Sequence, residues 1–252
     1  MNRTVAIIQA RMGSTRLPGK VLLPLCGHSV LAHVITRALA VPEVDAVVVA
    51  TSTLAADDAV AAEAARYRAM VCRGPEDDVL ERYRLAAAEA AADTVIRITS
   101  DCPLLDPAVV GVMLTHFLQQ RGAGRALDYL SNGLQRSFPR GLDAEIFTRA
   151  VLERCAREAW EPHMREHVTP YVYQHPDRFR IEAWTQPLDQ SAQRWTLDTP
   201  EDWALISAIF GALGDGLNVF PSASVHALLD AHPDWRALNA HIEQKPLPAA
   251  AA

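Results

Sequence analysis

Short β-branched runs alternate with longer amphipathic stretches in the N-terminal part of the chain. Val5 to Ala10, Val44 to Thr51, Ala69 to Cys72 and Thr94 to Thr99 have strand length, and helices are predicted from Ser29, over Asp57 to Arg68 and from Asp77. Strands separated by helices cannot pair through tight hairpins, so this order predicts a mostly parallel, Rossmann-like α/β sheet with helices on both faces. The Val44 to Val49 and Thr94 to Ile98 runs are apolar without strict alternation, as strands covered on both faces should be. Ser29 is placed to cap the helix Val30 to Leu39.

A further helix is expected after Pro107. The alternation then stops, and Gly122 to Asp143 is rich in Gly, Arg and turn residues. Antiparallel strands, loops and a helix around Trp160 to Tyr173 are expected to form a small lobe over the sheet edge. Thr196 to Asp198 reads as the end of a short strand, and Thr199, Pro200 and the acids Glu201 and Asp202 as the start of a helix. The expected organisation is one domain over residues 1–245: an α/β half at 1–121, a small lobe at 122–198, C-terminal helices at 199–245, and then a tail at 246–252.

Composition narrows the partners. With 24 basic and 30 acidic residues the net charge is −6, which argues against nucleic acid as the main partner. No run approaches the roughly 18 apolar residues of a membrane span, and the N-terminus lacks the pattern of a secretory signal, so a soluble cytoplasmic protein without a membrane partner is expected. The 4 cysteines lie far apart with no C-x-x-C and read as reduced thiols. Within this acidic chain Arg3, Arg11, Arg16 and Lys20 gather in the first 20 residues, where no acid stands, which points to an anionic ligand there.

The segment Gln9 to Lys20, QARMGSTRLPGK, directly follows the first strand. In an open α/β sheet that strand end is where ligands bind. Gly13 and Gly19 allow close backbone approach, Ser14 and Thr15 add donors, and Arg11, Arg16 and Lys20 add charge, a set suited to a triphosphate. A Walker A loop is the competing pattern, but it needs four residues between its glycines and a Ser or Thr after Lys. Here 5 residues separate Gly13 from Gly19, and Val21 follows Lys20.

In its A-R-x-G-S-T-R-L-P-G-K loop the chain resembles the sugar-activating cytidylyltransferases, namely the 3-deoxy-manno-octulosonate and acylneuraminate enzymes and their spore-coat polysaccharide relative of the SpsF type. Three further segments agree in order: Arg73 to Leu80, Arg97 to Leu104 and Asp198 to Asp202. The match is nearest to the SpsF type, and the chain lacks the G-T-E-R segment associated with the octulosonate enzymes.

The resemblance implies a Mg²⁺-dependent transfer of CMP from CTP to an acidic or amino sugar for polysaccharide synthesis. It assigns Asp101 and Asp198 to Mg²⁺, catalysis to Arg11, Arg16 and Lys20, and nucleotide binding to Ala10, Arg11, Gly13, Ser14, Thr15, Arg16, Lys20 and Arg73. Mg²⁺ takes oxygen ligands and keeps water beside one or two carboxylates and phosphates, so two distant aspartates suffice. Otherwise both are turn or cap aspartates, as Asp106 before Pro107 is read to be. Asn132, Arg140, Asp143, Glu145 and His167 are candidates for the sugar, although Asp143 and Glu145 also fit a solvated strand.

Two other classes compete. His163, Glu166 and His167 fit H-x-x-E-H, an inverted zinc-peptidase pattern, but no third ligand is evident and Pro170 interrupts the helix. The preferred reading has this helix line the sugar site or a subunit contact, compatible with a homodimer. A non-catalytic nucleotide-sugar binding protein would keep the loop and lose the carboxylates, whereas Asp101 and Asp198 are both present.

Overall fold

The computed structural model describes residues 2–125 and 127–244. The tail expected at 246–252 lies outside them.

Along the chain run β1 (Thr4–Gln9), β2 (Pro24–Leu25), β3 (His28–Ser29), α1 (Val30–Leu39), β4 (Ala46–Ser52), α2 (Asp58–Arg66), β5 (Met70–Gly74), α3 (Val79–Glu89), β6 (Thr94–Thr99) and α4 (Pro107–Gly122). Then follow β7 (Tyr129–Ser131), β8 (Glu145–Thr148), α5 (Arg149–Glu158), α6 (Pro162–His167), α7 (Pro170–Tyr173), β9 (Ile181–Ala183), α8 (Pro200–Leu213), α9 (Ser222–Ala231) and α10 (Pro233–Arg236). Seven strands make the main sheet in the order β5-β4-β1-β6-β8-β7-β9, and β2 and β3 form a separate ribbon.

β1 lies at the centre, parallel to β4 on one side and to β6 on the other. The chain leaves β1 toward β4 and β5 and returns past it to β6, so the order reverses at β1, where an open sheet splits its helices and leaves a crevice. Successive residues of a strand face opposite ways. Ala6 and Ile8 therefore pack with Leu31, Ile35, Met113 and Phe117 of α1 and α4 on one face. Val5 and Ile7 pack with Leu80 and Tyr83 of α3 and Leu152 of α5 on the other. A third cluster seats Trp195 and Leu197 against Ile206, Ile209 and Phe210 of α8, fixing the segment that carries Asp198.

The caps at Ser29 and Asp106 form as read, through Ala32 N to Ser29 Oγ at 3.0 Å and Ala108 N to Asp106 Oδ1 at 2.9 Å. Thr199 and Asp202 close a full capping box on α8.

Three features differ from the sequence reading. The lobe strands β7, β8 and β9 extend the main sheet itself: β8 runs antiparallel to β6, β7 antiparallel to β8, and β9 parallel to β7. The helix expected across Trp160 to Tyr173 is two short ones, because Val168 adopts φ 73° and Pro170 restarts the turn. Thr196 to Asp198 is not a strand: Leu197 N donates to Asp101 O at 2.8 Å and Thr196 Oγ1 to the same oxygen at 3.1 Å, so one carbonyl takes the place of a ladder.

Candidate active site

A cleft of about 910 Å³ opens where β1 and β6 end. Of the residues singled out from sequence, Ala10, Arg11, Gly13, Ser14, Thr15, Arg16, Lys20, Asp101, Arg140, Asp143, Glu145, His167 and Asp198 line it.

The loop after β1 is held from below. Met12 N donates to Asp57 Oδ1 at 2.7 Å, and the buried Asp57 is itself held by the Ser52 hydroxyl. Leu17 N donates to Ser14 Oγ at 3.3 Å, and Gly19, at φ 67°, turns the chain into a short 3-10 turn at Lys20–Leu22. Gly19 thus answers a backbone demand. Gly13 has ordinary φ, and the nearest atom to an added Cβ is Arg11 Cδ at 3.8 Å.

The Lys20 ammonium spends its three donors on three protein acceptors: Asp101 Oδ2 at 3.0 Å, Asp198 Oδ1 at 2.7 Å and Leu197 O at 2.8 Å. Carboxylates far apart in sequence therefore aim one oxygen each at the same nitrogen. Burial draws the Lys20 ammonium down, yet Asp101 and Asp198 outweigh it and hold it above the ordinary lysine value. Burial likewise pushes the Asp101 carboxyl up, and Lys20 outweighs that, so it stays ionised below the usual carboxylate range. Arg16 Nη2 adds a second cation to Asp198, 3.1 Å from Oδ2.

The far wall comes from β6, β8 and the turns around them. Arg97 Nη1 meets Glu145 Oε1 at 2.5 Å, and Thr169 Oγ1 donates to Glu145 Oε2 at 2.6 Å, so Glu145 sits in a braced strand and not a solvated one. Asp143 accepts from Arg136 Nη1 at 2.6 Å and Gly141 N at 3.0 Å. Among the described residues no carboxylate lies within ion-pair distance of the Arg140 guanidinium; burial draws its pKa down, with Arg136 adding to that. Burial also lowers the His167 imidazole, which Glu166 opposes and Arg97 reinforces, leaving the ring neutral at pH 7.

Two assigned residues do not reach the cleft. Arg73 turns away to hold the segment after β4, with Nη1 on Asp58 at 2.6 Å, Nε on Ser52 O at 2.8 Å and Nη2 on Leu54 O at 2.9 Å. Asn132 is 1% exposed, its amide donating to Leu142 O at 2.7 Å and accepting from Ala144 N at 2.8 Å. Both are polar residues at strand ends whose bonding capacity the backbone consumes.

Conversely Arg82, Arg97, Arg136 and Gln244 line the cleft without having been singled out. Arg82 clasps Pro75 O and Glu76 O, each at 2.7 Å, and so shapes the turn from β5 into α3. The R-x-x-x-D spacing of Arg97 to Asp101 was the one available signal.

The H-x-x-E-H residues are not assembled as a zinc centre. His163 Nδ1 lies 3.2 Å from Glu161, and among the described residues no group of three or more His, Cys, Asp or Glu side chains converges on one point. An ion held by Asp101 and Asp198 would accordingly complete its shell with substrate oxygens and water, as Mg²⁺ does.

A strongly cationic loop facing a carboxylate pair, at the reversal point of a mostly parallel sheet, sets the chain among the nucleotidyltransferases. The family model described as Cytidylyltransferase matches residues 5–215, and the chain belongs to this sugar-activating cytidylyltransferase family. It is 35% identical over 242 residues to the spore coat polysaccharide biosynthesis protein SpsF of Bacillus subtilis, covering 93% of this chain and 97% of that one. A cytidylyltransferase structure from Leptospira borgpetersenii superposes with a TM-score of 0.89 at 32% identity, over 97% of this chain and 100% of the other. The structure of a CMP:2-keto-3-deoxy-manno-octonic acid synthetase complexed with CTP shares the fold, with a TM-score of 0.65 at 20% identity over 84% of this chain and 99% of that one. No helix among the described residues is long and apolar enough to cross a membrane.

Proposed function

We propose that the protein transfers CMP from CTP to an acidic or amino sugar, with pyrophosphate leaving, in the synthesis of a cell-surface polysaccharide. The observation that carries this reading is the meeting of Asp101, Asp198 and Lys20 at one point beneath the Gly13 to Lys20 loop. Two oxygens already directed at one cation suit a divalent ion, and Mg²⁺ held by Asp101 and Asp198 supplies charge neutralisation and Lewis acidity at the phosphates.

The chain's own groups do the rest by placement. Arg11, Arg16 and Lys20 take the triphosphate charge, and the Ser14 and Thr15 hydroxyls add donors. Arg140, with no carboxylate within ion-pair distance among the described residues, suits a sugar carboxylate, while Asp143 and Glu145 are held rigid to accept from sugar hydroxyls or an amine. The neutral His167 ring can accept a hydrogen bond from a hydroxyl. Held in this geometry, a sugar hydroxyl attacks the α-phosphorus in line with departing pyrophosphate, and the rate gain is mainly positional and electrostatic.

The test is pyrophosphate release across a matrix of the four ribonucleoside triphosphates and a panel of sugar acids and amino sugars with Mg²⁺. Release is expected with CTP and an acidic or amino sugar, and CTP with Mg²⁺ should raise the Tm more than ATP or GTP does. Equal Tm shifts with all four triphosphates would remove the cytosine assignment and leave the phosphate site standing.

A further inference from the structure

Asp198 is surrounded by three cations, and they are held very differently. Arg16 and Lys20 belong to the loop, and each reaches the carboxylate from the cleft side. Arg194 approaches from behind, with Nη2 3.2 Å from Asp198 Oδ2, and its guanidinium is only 7% exposed. Its Nε and Nη2 also grip Asp202, each at 2.8 Å, and its Nη1 donates to Gln244 Oε1 at 2.8 Å.

Asp202 is fully buried and equally committed. It accepts from Asp198 N at 2.9 Å, Thr199 N at 3.1 Å and Asn239 Nδ2 at 2.8 Å. Asn239 Nδ2 in turn donates to Arg194 O at 2.9 Å, so the backbone of Arg194 is tied as well as its head. A cation with this many fixed partners cannot follow a ligand into the cleft.

We infer that Arg194 is a positioning residue for Asp198: it keeps the carboxylate in place when Arg16 and Lys20 turn to the triphosphate. With Oδ2 tied back to Arg194, Oδ1 remains directed at the point that Asp101 Oδ2 also faces. Without it, a carboxylate deprived of both loop cations and facing phosphates would swing away. The inference rests on the reading of Asp101 and Asp198 as the carboxylates that hold the divalent ion. Groups that orient metal ligands in this manner are worth about 10- to 100-fold in metal affinity or activity.

The test uses the full chain and two readouts, Mn²⁺ binding in the presence of CTP by electron paramagnetic resonance, and turnover with Mg²⁺. Arg194→Gln alone leaves Asp202 buried without its partner and risks unfolding, so Arg194→Gln combined with Asp202→Asn removes both charges together. That pair is expected to weaken Mn²⁺ held with CTP by about 10-fold or more and to slow turnover in proportion, with Arg194→Lys falling between it and the unaltered protein. In an Asp198→Asn background the same changes should add almost nothing, because a residue acting through Asp198 is silent once that carboxylate is gone. Unchanged Mn²⁺ binding in the folded double variant, or an equal loss with and without Asp198, would overturn the inference and leave Arg194 a strut for α8. Asp198→Asn that itself leaves Mn²⁺ binding and turnover intact would instead overturn the metal reading on which it rests.

Discussion

Lys20 shows how a single side chain organises the site. Its ammonium is saturated by Asp101, Asp198 and Leu197, so it must exchange a carboxylate for a phosphate to serve a triphosphate. Lys20→Ala is expected to weaken CTP binding and to lower turnover by about 10²-fold, the scale for one preorganised electrostatic group. Cys102→Ser is the matched comparison: the thiol lies 3.6 Å from Asp101 Oδ1, a serine hydroxyl offers the same donor, and kcat and KM should stay within a few-fold. A loss with Cys102→Ser as large as with Lys20→Ala, in a folded protein, would contradict this assignment. The meeting of Lys20, Asp101 and Asp198 was legible because a resemblance in four ordered segments coincided with the rule that strand ends share one edge of the sheet. Arg73 and Asn132 were misplaced because a polar residue at a strand end serves either a ligand or the neighbouring backbone, and the type of residue does not say which. Arg194 carried no local signal at all, since its meaning depends on Asp202 and on Gln244, which is 50 positions away.

Among the elements, the segment between Arg194 and α8 does most to shape the site, and it is neither helix nor strand. Its neighbour Gly141 has φ 108°, and an added Cβ would stand 2.5 Å from the Trp195 carbonyl carbon. Gly141→Ala therefore combines a left-handed backbone with a main-chain clash. A loss of more than about 1 kcal/mol by urea unfolding, together with weakened sugar-dependent turnover, is expected.

The Arg194–Asp202 pair at the start of α8 sets a pH dependence. Burial pushes the Asp202 carboxyl up, but Arg194 and Asn239 outweigh it and place it below its ordinary value of 3.8. A lowered acid pKa contributes stability that is present above the unfolded value and lost as pH falls through the folded one. The stability gap between the unaltered protein and Asp202→Asn, about 3 kcal/mol near neutrality for a broken buried pair, should thus narrow below about pH 4. A gap that stayed constant down to pH 2 would contradict it. Periodicity located β1, β4, β5 and β6 within a few residues because each repeats one pattern against one core. It misread Thr196 to Asp198 because that segment is held by the Asp101 carbonyl, which no local pattern records.

At the scale of the whole molecule, the parallel half of the sheet and its antiparallel extension share one hydrogen-bonded surface, and the cleft lies across their junction at β6 and β8. Both the mostly parallel class and the strand ends at which the cleft opens were readable from helix-and-strand order. The merging of the lobe strands into the same sheet was not, because β7 and β9 are three residues each, too short to display a period. The pairing of Lys20 with Asp198 spans 178 positions, whereas Lys20 and Asp101 are 81 apart. During synthesis the cationic loop, the central strands and the first carboxylate all leave the ribosome well before Asp198 exists. The growing chain thus carries the loop and the first carboxylate early, whereas the second carboxylate and the arginine behind it arrive only with the last quarter of the sequence. If the two carboxylates hold the divalent ion as proposed, a chain interrupted before Arg194 keeps the cationic loop and lacks both the second ligand and the group that orients it.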